Sequence, residues 1–261
     1  MAGFYWGRRQ APVSALHRDF GVYYSTNTHG SPTISRLLTA AALLTAAAPA
    51  FADERAFPVG GFDRLSSLGS ADVSVATGSR ASVHATGEAA ALDRLDIHVE
   101  GDTLRIGTKR DSMWSGWRDH GRVHIAVTVP MLRAVDLAGP GGVTVDRVKV
   151  RDFDGSIGGS GRLTVAALDS DTAAFNVAGP GDMTVSGRCG SAKASIAGSG
   201  GLKLGGLKCA TLSGKIAGSG RIDAFATQTA NLSIMGSGDI NLTGGARCTV
   251  SSAGSGKAHC S

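Results

Sequence analysis

Hydrophobic and polar residues alternate through the C-terminal half of this chain, and a Gly-Pro-Gly or Gly-Ser-Gly triplet breaks the alternation at near-constant intervals. The triplets start at Gly139, Gly159, Gly179, Gly198, Gly218, Gly236 and Gly254, spaced by 20, 20, 19, 20, 18 and 18 residues. Two positions before the first glycine stand Leu137, Ile157, Val177, Ile196, Ile216 and Ile234, with Ser252 in the last copy. Four and six positions after it stand pairs such as Val143 and Val145, Leu163 and Val165, Met183 and Val185. The residues between them are mostly polar, Thr144, Thr164 and Thr184 among them. A period of two marks a strand with one buried face. Each unit therefore predicts strand, tight bend, strand, with glycine tolerating positive φ and close backbone approach at the bend.

Repeats of this length without helical stretches predict a solenoid. The L-x-x-L-x-L pattern of leucine-rich repeats and the nine-residue calcium-binding repeat are both absent. The expected fold is all-β, a parallel β-helix with coils of about 20 residues and rungs about 4.8 Å apart. Stacking in register places Gly142, Arg162, Asp182, Gly201, Arg221, Asp239 and Lys257 in one outer ladder. Opposite charges on neighbouring rungs contribute about 0.2–1 kcal/mol each, so these charges need no ligand to explain them.

The segment before the repeat predicts strands at 62–65, 72–77, 81–85, 95–100, 103–108 and 123–129, with Gly101-Asp102 as a hairpin turn. Residues 109–122 interrupt this pattern with a polar run carrying Trp114 and Trp117. That run reads as a projecting loop, and its indole rings are candidate ligand platforms, since such rings stack on sugar faces or fill partner pockets. The chain divides into 1–52, a β-rich region 53–132 continuous with the solenoid, and the repeat region 133–261.

Residues 1–52 predict an export signal. Arg36 precedes a 12-residue Leu/Ala/Thr run at 37–48, and Ala50-Phe51-Ala52 supplies the small-residue cleavage site before Asp53. Twelve residues are too few for a membrane span, which needs about 20. Residues 1–35 lack an apolar run directly after Arg8-Arg9, which points to a translation start further downstream. The formal charge of +5 falls to 22 basic against 20 acidic residues from Asp53 onward. A nucleic-acid partner then loses its compositional support. No membrane-spanning segment is expected after residue 52.

Cys189, Cys209, Cys248 and Cys260 form an even set without a C-x-x-C spacing. In an exported chain such a set predicts disulfides. Cys189 and Cys209 lie one coil apart and Cys248 and Cys260 flank the last bend, so the expected bridges are 189–209 and 248–260.

Searches for catalytic patterns return little. The chain has no G-x-S-x-G and no H-E-x-x-H, and none of its G-x-G strings opens a helix. His120 and His124 on an extended segment lie too far apart to share a metal. Parallel β-helices also carry polysaccharide-cleaving enzymes, an inference from fold alone. Asp182 and Asp239 are three coils apart, too far for a catalytic pair. Asp152, Asp154, Asp169 and Asp171 are expected in polar turns beside strands. No catalytic residue, metal or cofactor is expected.

The chain resembles the exported bacterial family described as putative auto-transporter adhesin, head GIN domain. The resemblance rests on Phe62-Asp63-Arg64-Leu65, Ala71-Asp72-Val73-Ser74-Val75, Leu104-Arg105-Ile106, Val129-Pro130-Met131-Leu132 and the serial Gly-Ser-Gly bends, and it covers roughly 57–261. It implies an extracytoplasmic β-helical protein, in the periplasm or at the cell surface. The translocator barrel of a true autotransporter is not expected, because the repeats run to Cys260-Ser261. The expected role is non-catalytic binding, with envelope glycans as the first class of partner. Alternatives are an envelope-stress or structural protein that binds another protein, and a polysaccharide lyase or hydrolase.

Overall fold

The computed structural model describes residues 53–109 and 122–261. The first elements are β1 (Asp53–Phe57), β2 (Arg64–Leu68), β3 (Asp72–Thr77), β4 (Ser82–Gly87), the one-turn helix α1 (Ala89–Leu92), β5 (Leu95–Glu100), β6 (Thr103–Thr108) and β7 (His124–Val129). Then come β8 (Ala134–Ala138), β9 (Gly142–Lys149), β10 (Asp152–Gly158), β11 (Arg162–Ala178), β12 (Asp182–Gly198) and β13 (Gly201–Gly218). The last are β14 (Arg221–Gly236), β15 (Asp239–Thr243), β16 (Arg247–Ala253) and β17 (Ala258–Cys260). The expected all-β parallel solenoid is present, with about 6 turns. The export signal read over 1–52 and the segment carrying Trp114 and Trp117 lie outside the described residues.

Each coil contributes one strand before its bend and one after it, so the solenoid has two faces. The pre-bend face runs β5, β6, β2, β8, β10, the second halves of β11 to β14, then β16. The post-bend face runs β1, β4, β7, β3, β9, the first halves of β11 to β14, β15 and β17. β11 to β14 are long because they turn the corner between the faces without leaving extended geometry.

Alternation decides which side chains enter the core. Leu163, Phe175, Met183 and Ile196 are fully buried, while Thr164 and Ser195 beside them are not. Large and small residues share the interior rows. Val135, Gly155, Phe175, Ala194, Gly214 and Leu232 are successive partners along one row. Gly155 and Ala194 flank Phe175 on neighbouring rungs, which leaves space for its ring at interior packing density.

The bends stack on each other. Gly179 has φ +118°, and a Cβ there would lie 2.9 Å from the Gly159 carbonyl oxygen of the coil before. Gly181 has no such φ, but its Cβ would stand 2.8 Å from both the Gly161 carbonyl and the Ile157 side chain. The Gly181 N–H donates to the Gly159 carbonyl at 2.9 Å, and the Gly200 N–H to that of Gly179 at 2.9 Å. The ladder begins one coil earlier than the triplets indicate. Gly69 has φ +116°, and its carbonyl accepts the Gly141 N–H at 3.0 Å. Its third position is Ala71, which hides this bend from a G-x-G pattern.

The N-terminal coils are stacked out of chain order. The β2–β3 coil sits between β6–β7 and β8–β9, so Leu65 has Leu104 on one side and Val135 on the other. Beyond β6 and β7, the antiparallel strands β5, β4 and β1 close the stack. The Gly101-Asp102 hairpin is present, with Gly101 at φ +63°. β1 and α1 carry no alternation long enough to announce them, and Arg55 joins them through the Leu92 carbonyl at 3.2 Å and Asp93 at 2.7 Å.

The other end is closed differently. β16 has a neighbour on one side only, and Val250 is 46% exposed where its rung partner Leu232 is 2%. Cys248 on β16 is bonded to Cys260 on β17, across the two faces. Cys189 and Cys209 are rung partners and form the second expected bridge, with Cα atoms 4.6 Å apart.

Two stability outcomes follow from this arrangement. Gly179→Ala is expected to lower unfolding free energy by about 1–3 kcal/mol through positive-φ strain and overlap with the Gly159 carbonyl. Ala178→Ser, one residue away on the exposed side, should leave the urea midpoint unchanged. Cys248→Ser with Cys260→Ser is expected to cost about 3 kcal/mol by freeing a short loop in the unfolded chain. Hydrogen exchange in that double variant should rise first in β16 and β17.

Candidate functional site

The seven bend glycines and four cysteines are structural, and the outer charge ladder is too. Arg162 partners Asp182, Asp182 partners Gly201, and Arg221 partners Asp239 at 3.8 Å. Asp72 extends this ladder by one rung, next to Gly142. The four aspartates expected in turns lie inside strands instead. Asp152 and Asp154 belong to β10, and Asp169 and Asp171 to the corner of β11. For Asp169 and Asp171 the reason is that β11 runs around the corner as one strand, whereas Asp152 and Asp154 follow the short break at 150–151 between β9 and β10. Asn231 and Asn241 are strand residues, and Asn241 donates to Asp223 at 2.8 Å.

The corner aspartates lead to a groove of about 630 Å³ on the edge of the pre-bend face. One outward row supplies its length, in the order Arg64, Ala134, Asp154, Ala174, Lys193 on five consecutive rungs. Five rungs span about 19 Å. Ala174 lines the groove between Asp154 and Lys193, while Ala134 is covered. Thr172 and Ser191 line the neighbouring row, and the Thr172 hydroxyl donates to Asp152 at 2.6 Å. Arg133 enters from the loop before β8, held by Asp63 at 2.7 Å and by Asp102 at 3.8 Å. Lys193 forms no ion pair among the described residues.

Outside the groove the same face is flat and short-chained. Ser156, Asn176, Ser195, Lys215 and Ser233 follow one another in one row. Thr172, Ser191, Thr211 and Thr229 follow in another. Such rows repeat hydroxyl donors and acceptors at the rung spacing. The described residues include no tryptophan or tyrosine, and the candidate platforms Trp114 and Trp117 lie outside them. β6 ends at Thr108 and β7 begins at His124, the point in the coil at which β8 and β9 are joined through the Gly139 bend.

Electrostatics single out Asp136, two residues along β8 from Ala134. Partial burial holds its carboxyl above the ordinary carboxylate range, the nearby Asp154 charge adds to this, and Arg64 opposes both. Asp136, Arg64 and Lys193 were not selected as site residues from the sequence, and Asp154 was named there only among the turn aspartates. Their proximity comes from rung register, which no local motif announces.

The family model described as putative auto-transporter adhesin, head GIN domain, matches residues 61–246. The chain belongs to this family. Solved structures share its fold. A putative adhesin from Bacteroides fragilis NCTC 9343 superposes with a TM-score of 0.74 at 19% identity, covering 80% of this chain and 96% of that one. A structure named as a putative lipid binding protein from Parabacteroides distasonis ATCC 8503 gives 0.65 at 24%, over 82% and 98% of the two chains. A putative adhesin from Parabacteroides merdae ATCC 43184 gives 0.64 at 18%, over 82% and 97%. No curated protein matches the chain. The head GIN domain match takes in the whole groove row from Arg64 to Lys193 and stops short of β16 and β17.

The raised Asp136 carboxyl has a pH consequence. The folded state holds this proton more tightly than the unfolded chain, so ionisation costs stability as pH rises through the carboxylate range. Asp136→Asn is therefore expected to raise the urea midpoint at neutral pH. The gain should vanish below the ordinary carboxylate range, where Asp136 is protonated in both states. A gain of equal size at both pH values would contradict the assignment.

Proposed function

We propose that this chain is an exported, adhesin-like binding module of the bacterial envelope that works without catalysis and recognises a glycan on its pre-bend face. The observation that carries this reading is the groove row Arg64–Asp154–Lys193, set beside Thr172 and Ser191 on a flat, hydroxyl-rich surface. A carboxylate that accepts, cations that donate and hydroxyls that do both suit the vicinal hydroxyls of a saccharide. The straight row suits an extended chain rather than a compact ligand, because its polar groups recur along one line instead of converging on one point. Family membership and the adhesin names of similar structures support a binding role. The two disulfides support an oxidising, extracytoplasmic location, at the cell surface or in the periplasm after removal of residues 1–52. Trp114 and Trp117 are proposed to add ring stacking at the bend edge of the same face.

The test is affinity electrophoresis of the purified chain in gels cast with neutral polysaccharides, with product release assayed in the same mixtures. Retardation without new reducing ends or unsaturated products is expected. Asp154→Ala with Lys193→Ala should weaken it by about tenfold, equivalent to about 1.4 kcal/mol. Trp114→Ala with Trp117→Ala should weaken it further. Retardation that ignores both pairs of substitutions would remove the groove from the reading, and released products would overturn the non-catalytic assignment.

A further inference from the structure

A second concave site lies at the corner between β9 and β10 and continues across the corners of β11, β12 and β13. Its volume is about 490 Å³. Lys149, Asp169, Arg188 and Lys208 occupy it as partners on four consecutive rungs, and Arg147 joins them from β9. Two glycines at close approach line the site. Gly187 has φ +129°, and a Cβ there would overlap the Leu168 backbone of the preceding coil. Gly206 faces Ser186, whose Oγ would lie 2.6 Å from an added Cβ. The register between coils shifts here, between Val165 and Leu168 and again between Thr184 and Gly187. Arg147, Lys149, Arg188 and Lys208 line the site beside these shifts.

The charge is one-sided. Asp169 is the only acidic group lining the site, and Arg188 grips it with Nε at 3.0 Å and Nη2 at 2.6 Å. This contact, reinforced by the Arg188 and Lys149 charges, holds the Asp169 carboxyl below its ordinary range. Nearby, the Asp146 carboxylate accepts the Thr77 and Arg147 backbone N–H groups, and Asp171 faces Arg151 at 3.9 Å. Arg147, Lys149 and Lys208 form no ion pair among the described residues. Their charges are spread along the solenoid axis, with three rung steps, about 14 Å, between Lys149 and Lys208. A single small anion meets one or two of them, whereas a linear polyanion meets them in succession.

We propose that this corner binds an acidic polysaccharide, laid along the solenoid axis so that successive anionic groups meet Lys149, Arg188 and Lys208. The rung step is close to the advance of one pyranose in an extended chain, so sugars over the first, third and fourth rungs present their anions to Lys149, Arg188 and Lys208, and the sugar over the second rung faces Asp169, which Arg188 already holds. The site is separate from the groove on the pre-bend face and does not depend on that groove holding a neutral glycan.

The test uses the purified full chain in affinity gels with polygalacturonate, neutral dextran or no polymer, at low and at physiological salt. Polygalacturonate is expected to retard the chain, less so at higher salt because exposed charges are screened, whereas any retardation by neutral dextran, which belongs to the groove on the pre-bend face, should depend neither on salt nor on Lys149 and Lys208. Lys149→Glu with Lys208→Glu should weaken polygalacturonate binding by at least about tenfold, while Lys257→Glu, at the exposed last bend and outside both sites, leaves it unchanged. Circular dichroism and the urea midpoint establish that each variant is folded. If Lys149→Glu with Lys208→Glu unfolds the chain, Lys149→Gln with Lys208→Gln takes its place, with the same loss expected. Equal retardation of wild type and the corner variant would overturn the proposal, as would an equal loss caused by Lys257→Glu alone. A single-stranded oligonucleotide or inorganic phosphate that binds the corner as tightly as polygalacturonate would overturn its assignment to a polysaccharide. Failure of neutral glycans to bind would sink the groove reading and leave the corner result standing.

Discussion

Everything in this solenoid depends on how closely one bend approaches the next. The carbonyl of each bend accepts an N–H from its neighbour, and the backbones come within a distance that excludes a Cβ. This contact sets the register of every coil, because a slip of one residue would bring a side chain against a carbonyl oxygen and turn each apolar row outward. Rows such as Leu163–Met183–Leu202–Ile222–Ile240 stay in line because the bends permit no alternative.

The opposite corner carries this constraint only at scattered points, Gly187 and Gly244 among them, and it is where the coils differ. β11 to β14 absorb insertions and deletions there as register shifts, the largest between Leu204 and Lys208. The fold thus has one rigid edge and one adjustable edge. Both the Arg64–Lys193 groove and the cationic notch border the adjustable edge, where residues are free to vary because neither core rows nor bend contacts depend on them. The ends of the stack also differ. Antiparallel strands and α1 cover the N-terminal end, whereas a covalent bridge between β16 and β17 ties the C-terminal one.

Much of this architecture was legible in the sequence, and some of it was not. The triplet spacing, the period-two flanks and the cysteine positions are local signals, and they led directly to the parallel coils, the bend ladder and both disulfides. The Gly69 bend was missed because Ala71 breaks the triplet, and β1 and α1 because neither has an extended pattern. The interleaving of β2–β3 between β6–β7 and β8–β9 had no local mark either, since it joins residues about 40 to 70 positions apart. The aspartates assigned to turns were misplaced for a related reason: sequence marks polarity, and a corner of continuous strand is as polar as a loop.

The candidate sites lie further from what sequence can reveal. Arg64 and Lys193 are 129 residues apart in the chain and four rungs apart in space, and Lys149 meets Lys208 only through three rung registers. By itself the sequence determined the coil, its repeat and its covalent closure, because each depends on neighbours along the chain or at one fixed period. Tertiary structure alone decided which charges share a surface. A solenoid converts a position within the coil into a place on a face, and the order of stacking and the corner shifts decide which positions become neighbours.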